Sequence, residues 1–274
     1  MSAGTEIHPL ALVEKGAQLG AGVRVGPFCH VGPEVVLGDG VHLLSHVSVT
    51  GATTVGARTQ VHPHAALGGP PQDLKHKDAR TTLTVGADCL IREGFTAHRG
   101  TEHGGGHTRI GDRCFLMANS HVAHDCHIGN GIIMANGSVM GGHCEIDDNV
   151  IISGLVAIHQ FVRIGRGAML GGGARVAGDV IPYGMAQGDR ATLRGLNVVG
   201  LRRAGASHSD IAALRQAYLM LFDRARPVAE NVERVRTAFP GNARVAEVLL
   251  FFTAKGRRIF TVPGVDAAAE GGDE

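Results

Sequence analysis

The sequence carries almost no net charge and no long hydrophobic run. Its 26 Lys and Arg residues are balanced by 25 Asp and Glu residues, so it lacks the basic excess typical of nucleic-acid binding. No apolar run approaches the ~18 residues of a membrane-spanning helix. The N-terminus, MSAGTEIHPL, lacks the basic and apolar regions of a signal peptide. We therefore expect a cytoplasmic protein.

Several common catalytic motifs are also missing. The sequence has no G-x-S-x-G nucleophile elbow, no P-loop and no dinucleotide fingerprint. If the chain transfers a group, direct attack by an acceptor hydroxyl is therefore favoured over a covalent intermediate on the enzyme. The five cysteines show no C-x-x-C spacing, which favours small buried residues in a reducing compartment; they are Cys29, Cys89, Cys114, Cys126 and Cys144.

Glycine, in contrast, is abundant, at 41 of 274 residues, or about 15% and roughly twice the average usage. Aliphatic side chains recur at every sixth position, and many of them are followed by glycine. One series runs from Ile7 to Leu67 and resumes at Val85, and a second, shifted by one residue, runs from Ile110 to Val176. A period of six matches neither a helical face nor an ordinary strand, but it fits a short strand followed by a corner.

Three such units close a triangular coil of 18 residues, and successive coils stack ~4.8 Å apart, as strands do in a parallel sheet. We therefore predict a mainly β fold, a parallel β-helix of hexapeptide repeats over residues 1–186, followed by a C-terminal helical domain over residues 187–274. The repeat does not determine the handedness of the coil. Residues at the corners should supply the positive φ that tight turns need, among them Asn119, Asn130, Asn136 and Asn149.

Two insertions interrupt the repeat, at residues 68–84 and 98–109. We expect both to project outward as loops and to carry function. His103 and His107, in the second insertion, are expected to face solvent.

Beyond Pro182 the repeat ends and a helical period begins, with Ser207 or Ser209 as the N-cap. We expect Pro227 to end this helix. Two short amphipathic helices, at about 228–239 and 242–255, and a frayed tail from residue 264 should follow.

Histidines cluster in the run SHVAHDCHIG. His124 lies two residues after the core position Val122, and therefore near a corner. Adding 18 places Gly142 on the same edge one coil further along, and adding 18 again places Gln160 there. Because Asp125 can hold the imidazole in one tautomer, His124 is a suitable general base, and the N–H of Gly142 can donate to a developing oxyanion.

A zinc site is the competing interpretation, because histidine clusters bind Zn²⁺ and one class of hexapeptide-repeat proteins consists of carbonic anhydrases. Against it, HVAHDCH is not itself a known ligand spacing. We predict no bound metal.

Five stretches, GGPPQDLKH, HRGT, HVAHDC, AIHQF and GLNVVGLRR, together closely resemble the UDP-N-acetylglucosamine 3-O-acyltransferases, which begin lipid A synthesis. The resemblance covers nearly the whole chain. It implies a left-handed β-helix and a homotrimer with active sites between subunits. It also implies transfer of an (R)-3-hydroxyacyl chain from acyl carrier protein to the 3-hydroxyl of UDP-N-acetylglucosamine. No cofactor would be bound, since the acyl chain is carried on the phosphopantetheine of the carrier protein.

The resemblance implies a role for individual residues as well. His124 would be the general base, Asp125 its orienting partner and Gly142 the oxyanion donor. The substrate cleft would be lined by Asp73, Lys75, His121, His143, His159 and Gln160, with Gln72 beside them. Asn197 and Arg203 fall where the family holds the nucleotide and phosphates. Gly172 falls where acyl length is limited, so its missing side chain should leave room for a longer chain. The chain departs from residues common in the family at Arg190, Val199 and Ala204.

Two other functions are weighed against this one. The N-acyltransferase of the same pathway usually carries an extra N-terminal domain, whereas the repeats here begin at Ile7. A non-catalytic scaffold or ice-binding β-helix would show regular threonine arrays on a flat face, which this sequence lacks.

Overall fold

A computed structural model describes residues 4–77 and 79–264. Short parallel strands wind into a left-handed triangular coil, whose faces are named A, B and C in the order in which the chain passes them. Face A contains Glu6–Ile7, Arg24–Val25, His42–Leu43, Gln60–Val61, Leu90–Ile91, Phe115–Leu116, Ile133–Met134, Ile151–Ile152, Met169–Leu170, Gly184–Gln187 and Thr192–Leu196. Face B contains Leu12–Val13, His30–Val31, Ser48–Val49, Ala66–Gly69, Thr96–His98, His121–Val122, Val139–Met140, Ala157–Ile158 and Arg175–Val176. Face C contains Gln18–Leu19, Val36–Leu37, Ala52–Val55, Thr82–Val85, His107–Ile110, His127–Ile128, Glu145–Ile146 and Arg163–Ile164.

The pairing register explains both the hexapeptide period and its shift of phase. Glu6 pairs with Arg24 one coil further along, a step of 18 residues. Two coils are longer, because Gln60 pairs with Leu90 and Leu90 pairs with Phe115, steps of 30 and 25 residues. The first therefore contains 12 extra residues, or two hexads, and keeps the phase. The second contains seven extra residues, a hexad plus one, and moves every later core position by one.

The aliphatic positions of the repeat fill the interior of the coil. On successive coils of face B, Val122, Met140 and Ile158 are 0%, 2% and 4% exposed. Each coil covers only its neighbours, so the first coil remains open and Ile7 is 47% exposed. The predicted β-helix is confirmed, and all five cysteines are buried in it.

The corners take up the left-handed backbone conformation, as predicted for two of the four asparagines. Asn119 and Asn149 have φ of 57° and 59°. The prediction was wrong for Asn130 and Asn136, where the positive φ falls one residue later, on glycine. Glycine adopts this conformation without the steric penalty of a Cβ.

Both insertions leave the coil at the edge between faces B and C, called the B–C edge below. Their loops, at 70–81 and 99–106, are shorter than predicted because the ends of each insertion pair as strands. His107 consequently lies in a face C strand, with its Nδ1 hydrogen bonded to Thr82 Oγ1 at 2.6 Å. The prediction that His107 is a solvent-facing loop residue was therefore wrong.

The coil is followed by an antiparallel hairpin and four helices. The hairpin joins Gly184–Gln187 to Thr192–Leu196 and extends face A, which the hexapeptide pattern does not predict. The helices are α1 (Val198–Arg203), α2 (His208–Leu221), α3 (Val228–Ala238) and α4 (Ala243–Thr253). They begin at Val198, rather than directly after residue 186.

Helix α2 begins at the predicted N-cap. The Ser207 hydroxyl accepts the N–H of Asp210, and the Asp210 carboxylate accepts the N–H of Ser207. The helix ends at Leu221 and not at Pro227, which instead precedes α3 as its N-cap. Helices α3 and α4 match the two predicted amphipathic segments.

After α4 the chain returns to the coil and pairs with it. The N–H of Asp179 donates to Ile259 O, and the N–H of Thr261 donates to Asp179 O, both at 2.8 Å. Within the described ranges, no helix is both long and apolar enough to cross a membrane. The predicted frayed tail begins at Gly264, and all of it after Gly264 lies outside the described residues.

Candidate active site

The candidate site lies on the B–C edge, where both insertions also emerge. Five successive coils place along this edge the loop 70–81, the loop 99–106, His124, Gly142 and Gln160. Backbone hydrogen bonds join the coils there: His143 N–H donates to His124 O, and Phe161 N–H donates to Gly142 O, both at 3.0 Å. The column obtained by counting in steps of 18 is therefore present in the structure.

His124 and Asp125 form a hydrogen-bonded pair at the centre of this edge. His124 Nδ1 donates to Asp125 Oδ2 at 2.9 Å, and the two side chains are 12% and 1% exposed. The positive φ of Asp125, 58°, occurs at the corner itself. Because an ionised carboxylate can only accept, the bond fixes the proton on Nδ1 and leaves Nε2 free to accept another.

The Asp125 carboxylate is held by Thr101 from the second insertion. The N–H of Thr101 donates to Oδ1 at 2.9 Å, and its hydroxyl donates to Oδ2 at 2.7 Å. Burial is the largest influence on the Asp125 carboxyl and raises its pKa, but the hydrogen bonds from His124 and Thr101 outweigh it. The net pKa lies below its ordinary value, so Asp125 is ionised at neutral pH.

Gly142 lies directly against the imidazole of His124. A Cβ built on Gly142 would stand 2.5 Å from His124 Cε1 and 2.8 Å from Nε2, closer than non-bonded atoms approach. Within residues 4–77 and 79–264, the Gly142 N–H donates to no protein acceptor. Glycine at this position therefore lets the imidazole lie beside an unoccupied backbone donor.

Two further histidines flank the pair. His143 Nε2 lies 3.9 Å from Asp125 Oδ2, and its ring stacks on Phe161 with centroids 4.5 Å apart. His121 Nδ1 is hydrogen bonded to Thr96 Oγ1 at 2.7 Å. Burial lowers the pKa of His121 to about 4, with smaller contributions from neighbouring histidines. Burial also lowers the pKa of His143, so both rings are neutral near pH 7.

The first insertion brings Asp73 and Lys75 to the same edge. Asp73 accepts the N–H of Lys75 at 2.8 Å and lies 3.0 Å from His103 Nε2, while the side chains of Lys75 and Gln72 are exposed. The hydrogen bond from the Lys75 N–H is the largest influence lowering the Asp73 pKa. His103 is an exposed loop residue, as predicted, and its contact with Asp73 also joins the two insertions.

At the far end of the column, His159 and Gln160 are contacted by the C-terminal segment. Arg258 Nε donates to Gln160 O at 2.9 Å, and its NH2 donates to His159 Nδ1 at 2.6 Å. No sequence pattern indicated Arg258, since it follows the last helix and belongs to no repeat.

Three predicted site residues lie elsewhere on the protomer. Gly172 lies at the corner between faces A and B, on a different edge from His124. Asn197 is buried and caps α1, accepting the Gly200 N–H at 2.9 Å and donating to Gly167 O at 3.0 Å. Arg203 is exposed in the last turn of α1. One protomer thus does not gather these residues around His124.

A cavity of about 400 Å³ opens beside the pair, between the second insertion and the segment after α4. It is lined by His103, Gly104, Asp125, His127, His143, Glu145, Phe161, Arg163, Lys255, Gly256 and Arg257. Arg257 lies over the Phe161 ring at 4.7 Å. The sequence patterns did not indicate Arg257 or Lys255. Phe161 and Thr101 were part of two recognised motifs, AIHQF and HRGT, but carried no predicted role.

Potential ligand atoms of His124, Asp125 and His143 lie within 4.8 Å of one another, which is close enough to consider a metal ion. However, Asp125 Oδ2 already accepts hydrogen bonds from His124 Nδ1 and from the Thr101 hydroxyl. An ion there would have to displace both donors. The geometry therefore fits an acid–base pair better than a metal centre.

The coil and its edge site define a hexapeptide-repeat transferase. The family model for the bacterial transferase hexapeptide, which covers six repeats, matches residues 16–51 and 107–142. A second model, described as UDP-N-acetylglucosamine O-acyltransferase domain 2, matches residues 179–260.

Similarity to individual proteins extends over nearly the whole chain. An acyl-[acyl-carrier-protein]–UDP-N-acetylglucosamine O-acyltransferase of Mesorhizobium japonicum is 57% identical over 269 residues, which is 98% of this chain and 95% of the relative. A solved UDP-N-acetylglucosamine acyltransferase superimposes with a TM-score of 0.91 at 40% identity, covering 94% of this chain and 99% of that one. The corresponding Moraxella catarrhalis structure gives 0.90 at 35% identity, covering 93% and 99%. The chain belongs to the UDP-N-acetylglucosamine O-acyltransferase family and is an O-acyltransferase.

Proposed function

We propose that the protein transfers an (R)-3-hydroxyacyl chain from acyl carrier protein to the 3-hydroxyl of UDP-N-acetylglucosamine, the first step of lipid A synthesis, in the cytoplasm. The name of the Mesorhizobium relative, which specifies acyl carrier protein and UDP-N-acetylglucosamine, supports the donor and acceptor classes. The donor chain arrives on the phosphopantetheine of the carrier protein, so the enzyme itself needs no bound cofactor. The observation that carries the mechanism is the bond from His124 Nδ1 to Asp125, which leaves Nε2 as a base.

The reaction can be written with these groups alone. His124 Nε2 takes the proton of the sugar 3-hydroxyl as its oxygen attacks the thioester carbonyl carbon. The tetrahedral oxyanion accepts a hydrogen bond from the Gly142 N–H. When the intermediate collapses, the carbon–sulfur bond breaks, and the leaving thiolate takes the proton from the imidazolium. Asp125 stabilises the imidazolium while it exists.

The substrate contacts are part of the same proposal. Gln72, Asp73 and Lys75 would contact the acceptor from the first insertion. His121, His143, His159 and Gln160 would line the cleft along the B–C edge. Asn197 and Arg203 would hold the nucleotide and its phosphates, because an arginine fork suits a pyrophosphate.

A homotrimer with sites between subunits fits the placement of these residues. Gly172 and His124 lie on different edges of one prism, so a single protomer cannot bring them to one cleft. A second copy packed alongside would set one edge against another. Repeating that heterologous contact around a threefold axis closes a ring.

The direct test replaces the base. We expect His124→Ala to lower kcat at least about a hundredfold in an assay with UDP-N-acetylglucosamine and 3-hydroxyacyl carrier proteins, the usual contribution of a general base. His64→Asn is the control, since His64 is an exposed corner histidine on a different edge, between faces A and B, and asparagine tolerates its φ of 65°. Full activity of a folded His124→Ala would rule out the mechanism.

The zinc alternative is tested with the same preparation. Stoichiometric metal in the purified protein, with activity lost on chelation and restored by Zn²⁺, would favour a metal centre at His124, Asp125 and His143. We expect activity to be unchanged by chelator.

A further inference from the structure

The second insertion is packed against the catalytic pair in a way that the proposed reaction alone does not explain. We propose that Thr101 is a positioning residue, held by the loop 99–106, and that its hydroxyl and N–H fix the Asp125 carboxylate in the orientation that holds His124. This inference rests on the proposed role of His124 as the base.

The contacts of Thr101 with the carboxylate are paired and buried. Its N–H donates to Asp125 Oδ1 at 2.9 Å and its hydroxyl donates to Oδ2 at 2.7 Å, and the residue is 0% exposed. Oδ2 is also the oxygen that accepts His124 Nδ1–H. Thr101 therefore donates a hydrogen bond to each carboxylate oxygen of Asp125, and one of these oxygens also accepts the bond from His124.

The loop is shaped to bring Thr101 this close. A Cβ on Gly100 would stand 2.7 Å from Asp125 Oδ1, and a Cβ on Gly104 would overlap Oδ2. The N–H groups of Gly104 and Gly106 donate to Thr101 O at 3.1 and 2.8 Å, which fixes the residue in a tight turn. The seven extra residues of this coil thus form a cradle for a single carboxylate.

The Asp125 carboxylate needs these contacts because its own side chain does not fix its orientation. Rotation about the terminal torsion of an aspartate is broad, so a carboxylate held by one donor samples many orientations. Two donors from a rigid turn remove that freedom and keep Oδ2 directed at Nδ1–H. Loss of the hydroxyl should lower the fraction of His124 that is correctly oriented, without changing the groups that contact substrate.

The test compares three variants by kcat and KM. Thr101→Val keeps the shape but lacks the hydroxyl, and we expect kcat to fall about tenfold, as for loss of one hydrogen bond to a charged group, with KM within about twofold. Thr101→Ser keeps the hydroxyl and should retain most of kcat. Thr59→Val is the control, because Thr59 is equally buried and its hydroxyl donates to Gly86 O at 2.9 Å, away from the site. It should change thermal stability but not kcat.

A spectroscopic measurement adds an independent reading of position. In the full-length protein the Nδ1–H proton resonance of His124 should be present in the wild type and Thr101→Ser, and should broaden or shift in Thr101→Val. The proposal is overturned if Thr101→Val and Thr59→Val have the same kcat at equal folded fraction, or if Thr101→Ser is as slow as Thr101→Val. A slow His124→Ala with a fast Thr101→Val rejects only the positioning role, whereas a fast His124→Ala rejects the proposed base itself.

Discussion

At the scale of single residues, the proposed chemistry depends on how closely Gly142 approaches His124. The imidazole occupies the space that a side chain at position 142 would need, and a Cβ there would stand 2.5 Å from Cε1. The same close approach leaves the Gly142 N–H beside the free Nε2. Any residue except proline would supply this N–H, but only glycine leaves room for the imidazole beside it.

Gly142→Ala should consequently lower kcat by about a hundredfold, since a displaced base and a blocked donor each remove transition-state stabilisation. Gly32→Ala is the matched control, because Gly32 lies on the same edge and a Cβ there would meet Thr50 Cα at an ordinary 3.4 Å. Steady-state kinetics of both variants, with thermal unfolding to verify folding, measure the difference. Equal kcat values for the two alanine variants would contradict this account.

Sequence reasoning succeeded for residues that obey the register and failed for those that do not. His124, Gly142 and Gln160 are separated by whole coils, so counting along the chain was sufficient to place them on one edge. Thr101 and Arg258 reach the site from an insertion and from the segment after α4. The position of Thr101 depends on the conformation of its loop. The position of Arg258 depends on its packing against Gln160, 98 residues earlier in the chain. A local sequence period encodes neither.

At the scale of structural elements, the hexapeptide repeat determines nearly the whole coil. Its core positions are buried as predicted, and a second set of side chains two residues earlier, among them Val23, Val35 and Val41, is buried beside them. The hairpin Gly184–Gln187 with Thr192–Leu196 could not be predicted in this way, since it ends the coil with an antiparallel pair. The ends of the insertions were misplaced for a similar reason: Thr82 and His107 pair with strands although their segments look like loops.

The free space around Gly172 leads to a prediction about which acyl-chain lengths the enzyme accepts. Gly172 is exposed, and a Cβ there would meet only Gly154 O, at 3.6 Å. A larger side chain can therefore be added without displacing the coil. In the proposed cleft, Gly172→Met should obstruct the far end of the acyl chain, and each buried methylene that is lost costs about 0.8 kcal/mol, or roughly fourfold in affinity.

The measurement is kcat/KM with 3-hydroxyacyl carrier proteins of several lengths. We expect Gly172→Met to lose at least about tenfold with the longest chain used efficiently by the wild type, and little with chains a few carbons shorter. If kcat/KM falls equally for all chain lengths, or does not fall at all, this corner does not limit the length of the acyl chain.

At the scale of the whole molecule, the C-terminal segment connects the helices to the B–C edge. After α4 the chain pairs with Asp179 on the coil, and Arg163 Nε donates to Asp179 Oδ2 at 2.7 Å beneath it. Arg257 then covers Phe161, which stacks on His143. The helical domain is therefore fastened to the far end of the column that contains His124.

Arg258 is the residue through which this connection should affect substrate binding. It holds the Gln160 carbonyl and His159 Nδ1 with two nitrogens of one guanidinium, and both contacted residues are exposed. Arg258→Ala should raise KM for UDP-N-acetylglucosamine about fivefold, the effect of roughly 1 kcal/mol of lost hydrogen bonding, and leave kcat nearly unchanged. Arg258→Lys should raise KM almost as much, because a lysine keeps the positive charge but lacks the several N–H donors of a planar guanidinium. Arg24→Ala, which removes an exposed arginine from the second coil, controls for net charge. If Arg258→Ala and Arg24→Ala give the same KM, the segment after α4 only fastens the helices, and the arrangement of His159 and Gln160 must come from the coil itself.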